Sequence, residues 1–150
     1  MESSRSIKRV LLTCLIMIAA GVIIQIVFSN LLNLVFYFLP DLGQKYSNMV
    51  EQMVVRPGVM QILYVAVLAP VVEELIFRLG IMGLAGKWLP FAVANVIQAV
   101  LFGLYHWNPV QSVYAFLLGM IIGYAVHKSG DVRYGMLLHI AINVSGLLIA

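Results

Sequence analysis

Long apolar runs separated by short polar stretches dominate the hydrophobic pattern of this 150-residue chain. The runs are close to the roughly 20 residues that an α-helix needs to cross the hydrocarbon core of a bilayer. The pattern therefore predicts an all-α fold, a polytopic membrane bundle of about five transmembrane helices. The predicted helices cover residues 10–36, 59–85, 88–107, 110–127 and 134–150.

The polar stretches between these runs carry the turn and loop signals. Residues 1–9 form a basic head in front of the membrane domain, which covers residues 10–150. Residues 40–58 form the main polar loop, where Pro57 is a helix breaker and Lys45–Val54 is a candidate short surface helix. In the first helix the polar residues are expected to face other helices, namely Gln25, Asn30 and Asn33.

The composition agrees with a membrane protein and excludes an ordinary soluble domain. The chain is 63% hydrophobic and 10% charged, whereas soluble domains carry about 25% charged residues. The net charge of +3 does not indicate nucleic-acid binding, because the basic residues are scattered at the ends of apolar runs. We therefore expect an integral membrane protein whose partner is the lipid bilayer and that binds no nucleic acid.

The distribution of Lys and Arg predicts the orientation in the membrane. Cytoplasmic segments carry an excess of these residues. Six Lys and Arg residues are expected on one side of the membrane and only Lys45 and Arg56 on the other. We therefore expect the N-terminus inside and the C-terminus outside. The residues expected in the cytoplasm are Arg5, Lys8, Arg9, Lys87, Lys128 and Arg133.

The second predicted helix contains three charged residues, Glu73, Glu74 and Arg78, and no others between Val59 and Ala85. Three such residues facing lipid would cost on the order of 8–10 kcal/mol, which is comparable to the stability of a typical protein. They must therefore face protein or a water-filled cavity. An ionisable residue inside a membrane indicates a functional site.

The helical angles suggest separate roles for the two glutamates. Glu74 and Arg78 are four residues apart, so they share a face and can pair. Glu73 points about 100° away from Glu74 and about 140° away from Arg78. Either all three form one buried ion network, or Arg78 holds Glu74 while Glu73 stays free to act as a base. We favour the second interpretation. Pro70, just upstream, is expected to loosen the helix.

Further polar residues occur on two other predicted helices. His106 lies four residues after Phe102, and His139 and Asn143 are also four apart and share a face. Glu73 and His106 can activate a water, while the second pair can donate hydrogen bonds to an oxyanion. Alternatively, Glu73 and the two histidines can bind Zn²⁺. The residue types alone do not choose between these alternatives.

The depth of these groups in the membrane conflicts with a common site if the helices are straight. Glu73 and His106 lie at similar distances from the turn at residues 87–90. His139 comes out about 10–15 Å shallower on the cytoplasmic side at a rise of ~1.5 Å per residue. Tilted or broken helices are needed to bring all three groups together.

Three motifs in the core of residues 60–147 resemble, in order, those of the CPBP family of intramembrane proteases. This family includes type II CAAX prenyl endopeptidases and bacterial proteins linked to bacteriocin processing and self-immunity. The resemblance implies an all-helical membrane fold, peptide-bond hydrolysis within the membrane and a bacterial cytoplasmic membrane location. The motifs are Glu73-Glu74-x-x-x-Arg78, Phe102-x-x-x-His106 and His139-x-x-x-Asn143.

The resemblance also implies the roles of the motif residues. The first glutamate is the catalytic carboxylate, its neighbour pairs with the arginine, the first histidine helps to activate water, and the last pair stabilises the oxyanion. Both a metal-dependent and a metal-free glutamate mechanism have been proposed for the family, so the cofactor is either none or Zn²⁺. The implied site comprises Glu73, Glu74, Arg78, His106, His139 and Asn143.

The chain departs from the family pattern in two ways. Members often have Gly directly after the motif arginine, whereas here Leu79 intervenes before Gly80. Members also commonly have more helices, so we expect a small member, a fragment or a degenerate copy, with a homodimer as one way to complete the cavity. The expected substrate is a membrane-embedded or membrane-associated peptide or protein. The alternative is a non-catalytic bacteriocin-immunity or scaffold protein that binds peptide with the same fold.

Overall fold

The structure is a computed structural model that describes residues 2–54 and 58–149, and over these ranges it contains helices and no strands. The predicted all-α class is confirmed. Arg56 and the predicted breaker Pro57 lie outside the described residues. The helices are α1 (Glu2–Phe38), α2 (Pro40–Val54), α3 (Val59–Ala85), α4 (Phe91–Tyr105), α5 (Pro109–Ser129) and α6 (Val132–Ile149).

The chain is an integral membrane protein built as a helical bundle. Within the described residues, three helices are long and apolar enough to cross a membrane, Lys8–Phe38 within α1, Val59–Ala85 and Pro109–Ser129. The helices α4 and α6 are apolar but shorter. The 15 residues of α4 span only about 22 Å at 1.5 Å per residue, less than the roughly 30 Å of hydrocarbon.

The candidate surface helix at Lys45–Val54 is present but begins earlier, at Pro40, so the loop predicted for residues 40–44 is wrong. Pro40 stands at the first helical position, where its missing N–H costs no hydrogen bond. Asp41 follows in the first turn, where its carboxylate interacts favourably with the positive end of the helix dipole. These two residues start a surface helix earlier than the predicted Lys45.

Two other predicted boundaries also need correction. The chain is already helical from Glu2, so the head of residues 1–9 continues into α1 without a break. The helix predicted from residue 88 begins at Phe91, because Pro90 has an extended conformation and occupies the N-cap position. Trp88 therefore lies in the turn before α4.

The helix α3 is irregular on both sides of its carboxylates. Two π-helical segments, Tyr64–Leu68 and Leu75–Met82, flank the α-helical segment Ala69–Glu74. Pro70 lies in the central segment and cannot donate to the carbonyl four residues earlier. The Leu79-Gly80 departure falls within the second π-helical segment. Short π-helical turns inside α-helices are frequent at functional sites.

Small residues bring the other helices close around α3. An added Cβ at Gly119 would lie 3.0 Å from the Cα of Ala99, so α5 packs directly on α4. An added Cβ at Gly21 would lie 2.8 Å from the Cβ of Ala141, so α1 packs equally closely on α6. Such close approach between membrane helices requires small side chains at the crossing. The charged segment of α3 itself packs against α4, α5 and α6.

Candidate active site

The fully buried charges of the site belong to Glu74 and Arg78, whose exposed fractions are 0% and 1%. The Nη1 atom of Arg78 lies 3.0 Å from Oε1 of Glu74, which is the pair that their spacing predicted. The guanidinium carbon of Arg78 also lies 4.5 Å from the ring centroid of Phe102. This cation–π contact is stronger where water is excluded.

Burial leaves much of the hydrogen-bonding capacity of this pair unused among the described residues. Glu74 Oε2 and the three side-chain nitrogens of Arg78 have no hydrogen-bond partner there. The 3.0 Å contact is therefore an ion pair whose angle is not that of a hydrogen bond. A buried charge that lacks other partners depends on the opposite charge next to it. Each member of the pair thus keeps the other one stable inside the protein.

His139 links this buried pair to the rest of the site. Its Nδ1 atom lies 2.9 Å from Oε1 of Glu74, and its exposed fraction is 3%. Because an ionised carboxylate only accepts hydrogen bonds, Nδ1 carries a hydrogen and is the donor of this hydrogen bond. The depth gap expected for straight helices is closed, since His139 contacts both glutamates, and α3 is interrupted by two π-helical segments.

Glu73 is less buried than Glu74 and faces another direction. Its side chain is 14% exposed, and its Oε2 atom lies 3.7 Å from Nε2 of His139. The two glutamates therefore flank the two nitrogens of one imidazole ring. This arrangement combines both sequence interpretations, since Arg78 pairs with Glu74 while His139 bridges the carboxylates.

His106 lies at the C-terminal end of α4, directly after Tyr105. Its Nδ1 atom is 2.9 Å from the main-chain carbonyl of Phe102. A carbonyl accepts, so Nδ1 carries the proton and Nε2 is the acceptor of the neutral ring. The ring also contacts the edge of the Phe102 side chain, with 5.0 Å between centroids. These two contacts fix the orientation of the imidazole.

Asn143 is held by the irregular part of α3. Its Nδ2 group donates to the main-chain carbonyl of Val65 over 3.0 Å, and Val65 lies in the first π-helical segment. A side-chain amide has two N–H donors, so one remains for another partner. The contact connects the end of the third motif to the helix that carries the first motif.

The side chains of Glu73, His106, His139 and Asn143 meet at one cavity of about 680 Å³. This size is typical of a ligand-binding site. Glu74 and Arg78 are not among its lining residues, because they are buried behind the cavity wall. The motif residues that line the cavity are Glu73, Phe102, His106, His139 and Asn143.

The expectation that Gln25 faces another helix is confirmed, but the sequence interpretation did not predict that α1 and α5 form a polar wall of the cavity. Tyr114 donates its hydroxyl to Gln25 over 2.6 Å, and both residues line the cavity with Ser29 and Asn33. The signal was the spacing of the three α1 residues, which are four apart and share one face. The prediction for Asn30 is wrong, because this exposed side chain donates to the carbonyl four residues before it.

The zinc alternative can be tested against the donor atoms. The described part of the chain contains no group of three or more His, Cys, Asp or Glu side chains arranged to hold a metal ion. The Nδ1 atoms of His106 and His139 already have the Phe102 carbonyl and Glu74 as partners. Partners at Nδ1 leave the Nε2 atom of each ring open, as in metal-ligating histidines, so the Zn²⁺ alternative with Glu73 and the two histidines stays a prediction.

Comparison with known proteins supports the motifs. A family model described as Type II CAAX prenyl endopeptidase Rce1-like matches residues 55–145, which is more than half of the chain. The matched range contains all three motifs, whereas α1 and α2 precede it. Neither a search of curated proteins nor a search of solved structures gives a significant match.

Proposed function

The chain belongs to the Rce1-like family of type II CAAX prenyl endopeptidases, and on this premise we propose that Glu73 is the catalytic base of an intramembrane endopeptidase. At the family level the chain is a CAAX-type intramembrane protease. The observation that carries the proposed mechanism is the cavity at which Glu73, His106, His139 and Asn143 meet. A carboxylate and an imidazole at one cavity are the groups that activate water for hydrolysis.

In this mechanism a water lies between Glu73 and Nε2 of His106. Glu73 accepts one proton of the water while His106 accepts a hydrogen bond from it, and the water oxygen attacks the carbonyl carbon of the scissile peptide bond. Glu73 then delivers the proton to the leaving nitrogen as the C–N bond breaks. The products are a new carboxyl end and a new amino end.

The oxyanion that forms during this attack needs hydrogen-bond donors. The second N–H of Asn143 is one donor, since only one is engaged by the carbonyl of Val65. His139 is the other donor in its doubly protonated form, in which Nε2, 3.7 Å from Oε2 of Glu73, carries a hydrogen. Donors placed in advance stabilise the transition state without reorganisation.

Glu74 and Arg78 act as positioning residues in this scheme. Glu74 receives the hydrogen bond from His139 Nδ1 and so fixes which ring nitrogen faces Glu73. Arg78 compensates the charge of Glu74 in a dry environment. Neither residue lines the cavity, so neither is expected to touch substrate.

We propose that the substrate is a membrane-embedded or membrane-associated peptide or protein. The proposed location is the bacterial cytoplasmic membrane, with the N-terminus inside and Lys87, Lys128 and Arg133 on the same side. Side-chain accessibility to a membrane-impermeant thiol reagent tests this orientation, with single cysteines placed at position 45 and at position 87 in a Cys14→Ser background. Labelling of position 45 alone in intact cells supports it, and labelling of position 87 alone reverses it.

The mechanism is tested by cleavage of a pool of quenched-fluorescent 20-residue peptides with apolar centres, reconstituted with the protein in vesicles. Glu73→Gln and His106→Ala are expected to lower the cleavage rate about 10²- to 10⁴-fold, while the exposed carboxylate variant Asp41→Asn serves as a matched control. An active Glu73→Gln protein would overturn the assignment of the base.

Adding a chelator to the same assay tests whether cleavage requires a bound metal ion. Cleavage that persists with chelator, in a protein without bound metal, supports Glu73 as the direct base. Chelator-sensitive cleavage together with stoichiometric zinc that is lost in His106→Ala would replace this mechanism with a metal-dependent one. Protection of cells against a bacteriocin that survives Glu73→Gln would support the non-catalytic immunity alternative.

A further inference from the structure

The cavity has a second set of polar groups that the proposed chemistry does not use. Gln25, Ser29 and Asn33 lie on one face of α1, and Gln111 and Tyr114 lie on α5. Gln25 is engaged twice, because it donates to Ser29 over 3.2 Å and accepts from Tyr114 over 2.6 Å. The bond from Tyr114 joins α1 to α5, as hydrogen bonds between membrane helices do, whereas the bond to Ser29 lies within α1.

Asn33 and Gln111 differ from this fastened group. Both line the cavity, and their side-chain amides have no hydrogen-bond partner among the residues that the structure describes. The main-chain N–H of Gln111 bonds to Asn108, so the local turn holds the backbone and leaves the side chain free. Each amide offers both donors and an acceptor, which is the hydrogen-bonding pattern of a peptide group.

A peptide bond that is cleaved inside a membrane must first leave its helix. The unwound segment then has N–H and C=O groups without their helical partners, and each unsatisfied group in a lipid environment costs several kcal/mol. A protein that cleaves such a segment has to supply replacement partners beside the scissile bond. Asn33 and Gln111 are uncharged groups of the required kind in the same cavity as Glu73.

The charge of the lining restricts what can enter. No Lys, Arg or Asp lines the cavity in the described part of the chain, and Glu73 is its sole carboxylate. An acidic substrate residue would have no Lys or Arg to pair with, since Arg78 is buried behind the wall, and pairing with His139 would occupy an oxyanion donor. A basic residue would pair with Glu73 and occupy the base. Neither charge is therefore tolerated next to the scissile bond.

We propose that Asn33 and Gln111 bind the main chain of an unwound, uncharged substrate segment beside Glu73. The proposal rests on the proposed function and assigns a substrate class to the same site. It also gives α1 a binding role, although α1 lies outside the range that the family model matches. Asn33 and Gln111 are binding residues here, and they take no part in the proton transfers.

The test measures binding separately from cleavage. The full chain carrying Glu73→Gln is placed in lipid nanodiscs and titrated with a fluorescent 20-residue peptide whose central segment is apolar and uncharged. Asn33→Leu and Gln111→Leu are each expected to raise Kd about 2- to 10-fold, the effect of one lost hydrogen bond. Asn33→Gln retains an amide and is expected to bind within about twofold of the parent, because it keeps the hydrogen bond that Asn33→Leu loses.

The matched control is Asn30→Leu, since Asn30 is also on α1 but hydrogen-bonds to its own helix. It is expected to leave Kd unchanged. The same peptide with one central Asp or Lys is expected to bind about tenfold more weakly or worse. On the active background, Asn33→Leu is expected to raise KM with a smaller change in kcat, as for lost binding energy.

The outcomes separate this inference from the proposed function. An unchanged Kd in the Asn33→Leu/Gln111→Leu protein, or equal binding of charged and uncharged peptides, overturns the inference even if Glu73→Gln abolishes cleavage. Cleavage by Glu73→Gln overturns the proposed base while the binding measurement still decides the roles of Asn33 and Gln111. Equal weakening by Asn30→Leu would mean that α1 acts only through its packing, and would also overturn the inference.

Discussion

Glu73 and Glu74 are adjacent in the chain, and yet their surroundings differ in almost every respect. Glu74 is fully buried, lies against Arg78 and has an oxygen without a hydrogen-bond partner among the described residues. Glu73 is partly exposed and lines the cavity. His139 contacts both of them through its two ring nitrogens.

The difference shows how a single residue step along a helix separates a positioning residue from a catalytic one. A rotation of about 100° between neighbours places one carboxylate in a dry interior and the other at a cavity. The dry carboxylate orients the imidazole that the other one faces. Substitutions of the two glutamates should therefore affect different properties of the protein, stability for Glu74 and activity for Glu73.

The largest effect on stability is predicted for Glu74→Leu. It leaves the guanidinium of Arg78 buried without its counter-charge, which costs about 3–5 kcal/mol. Unfolding by SDS in mixed micelles, followed by circular dichroism, measures the loss. The matched control is Glu73→Leu, which removes a partly exposed carboxylate and is expected to cost less than about 1–2 kcal/mol.

A paired replacement sharpens the same comparison. In Glu74→Leu/Arg78→Met both buried charges are removed, and replacing a buried pair by apolar residues is often close to neutral. The double variant is therefore expected to recover more than half of the stability that Glu74→Leu loses. A double variant as unstable as the single one would show that the packing of Glu74, rather than its charge, stabilises the fold.

An intermediate effect is predicted for Gly135→Ala on α6. An added Cβ there would lie 2.9 Å from Oε2 of Glu74 and would overlap the side chain of Val126. Overpacking of this kind costs about 1–3 kcal/mol, measured by the same SDS titration. Gly83→Ala is the control, because its Cβ would meet only a carbonyl at 3.7 Å and the helix would gain roughly 0.5–1 kcal/mol.

The smallest effect is predicted for Asp131, a carboxylate in the turn before α6. Hydrogen bonds from the side chain and main chain of Arg133 hold the pKa of Asp131 below its ordinary value. Its contribution to stability is therefore present above the unfolded pKa of about 3.9 and is lost as the pH falls through the lower folded pKa. Because the pair is exposed to water, the contribution is small.

Asp131→Asn is accordingly expected to shift Tm only slightly at pH 7 and to weaken the acid dependence of Tm below about pH 4. Thermal unfolding in detergent at several pH values measures both. A destabilisation as large as that of Glu74→Leu would contradict the contrast between buried and exposed carboxylates.

Local spacing was sufficient to predict the parts of the site that lie within one helix. The contact of Arg78 with Glu74 follows from four-residue spacing, and the direction of Glu73 follows from one further step of the helix. The contact of His139 with both glutamates could not be predicted in this way. It depends on how α3 and α6 cross, which the spacing within either helix does not give.

The cavity wall illustrates a second limit. The polar residues of α1 were visible in the sequence, but whether a polar membrane residue fastens a helix or faces a cavity depends on its neighbours in space. Gln25 joins α1 to α5 through Tyr114, and Asn33 faces the cavity. Asn30 does neither, because it bonds to its own helix. The start of α2 was predicted at Lys45 instead of Pro40, because Pro40 and Asp41 are typical of a loop as well as of the first turn of a helix.

The hydrogen bond from Asn143 to Val65 has a consequence for how this protein tolerates change over time. Its acceptor is a main-chain oxygen, so any residue that keeps the local backbone at position 65 supplies the same partner. The Val65 side chain itself is 41% exposed, so other apolar residues can replace it. Position 143 has no such freedom, because the donor is a side chain. One contact thus places opposite evolutionary constraints on its two ends.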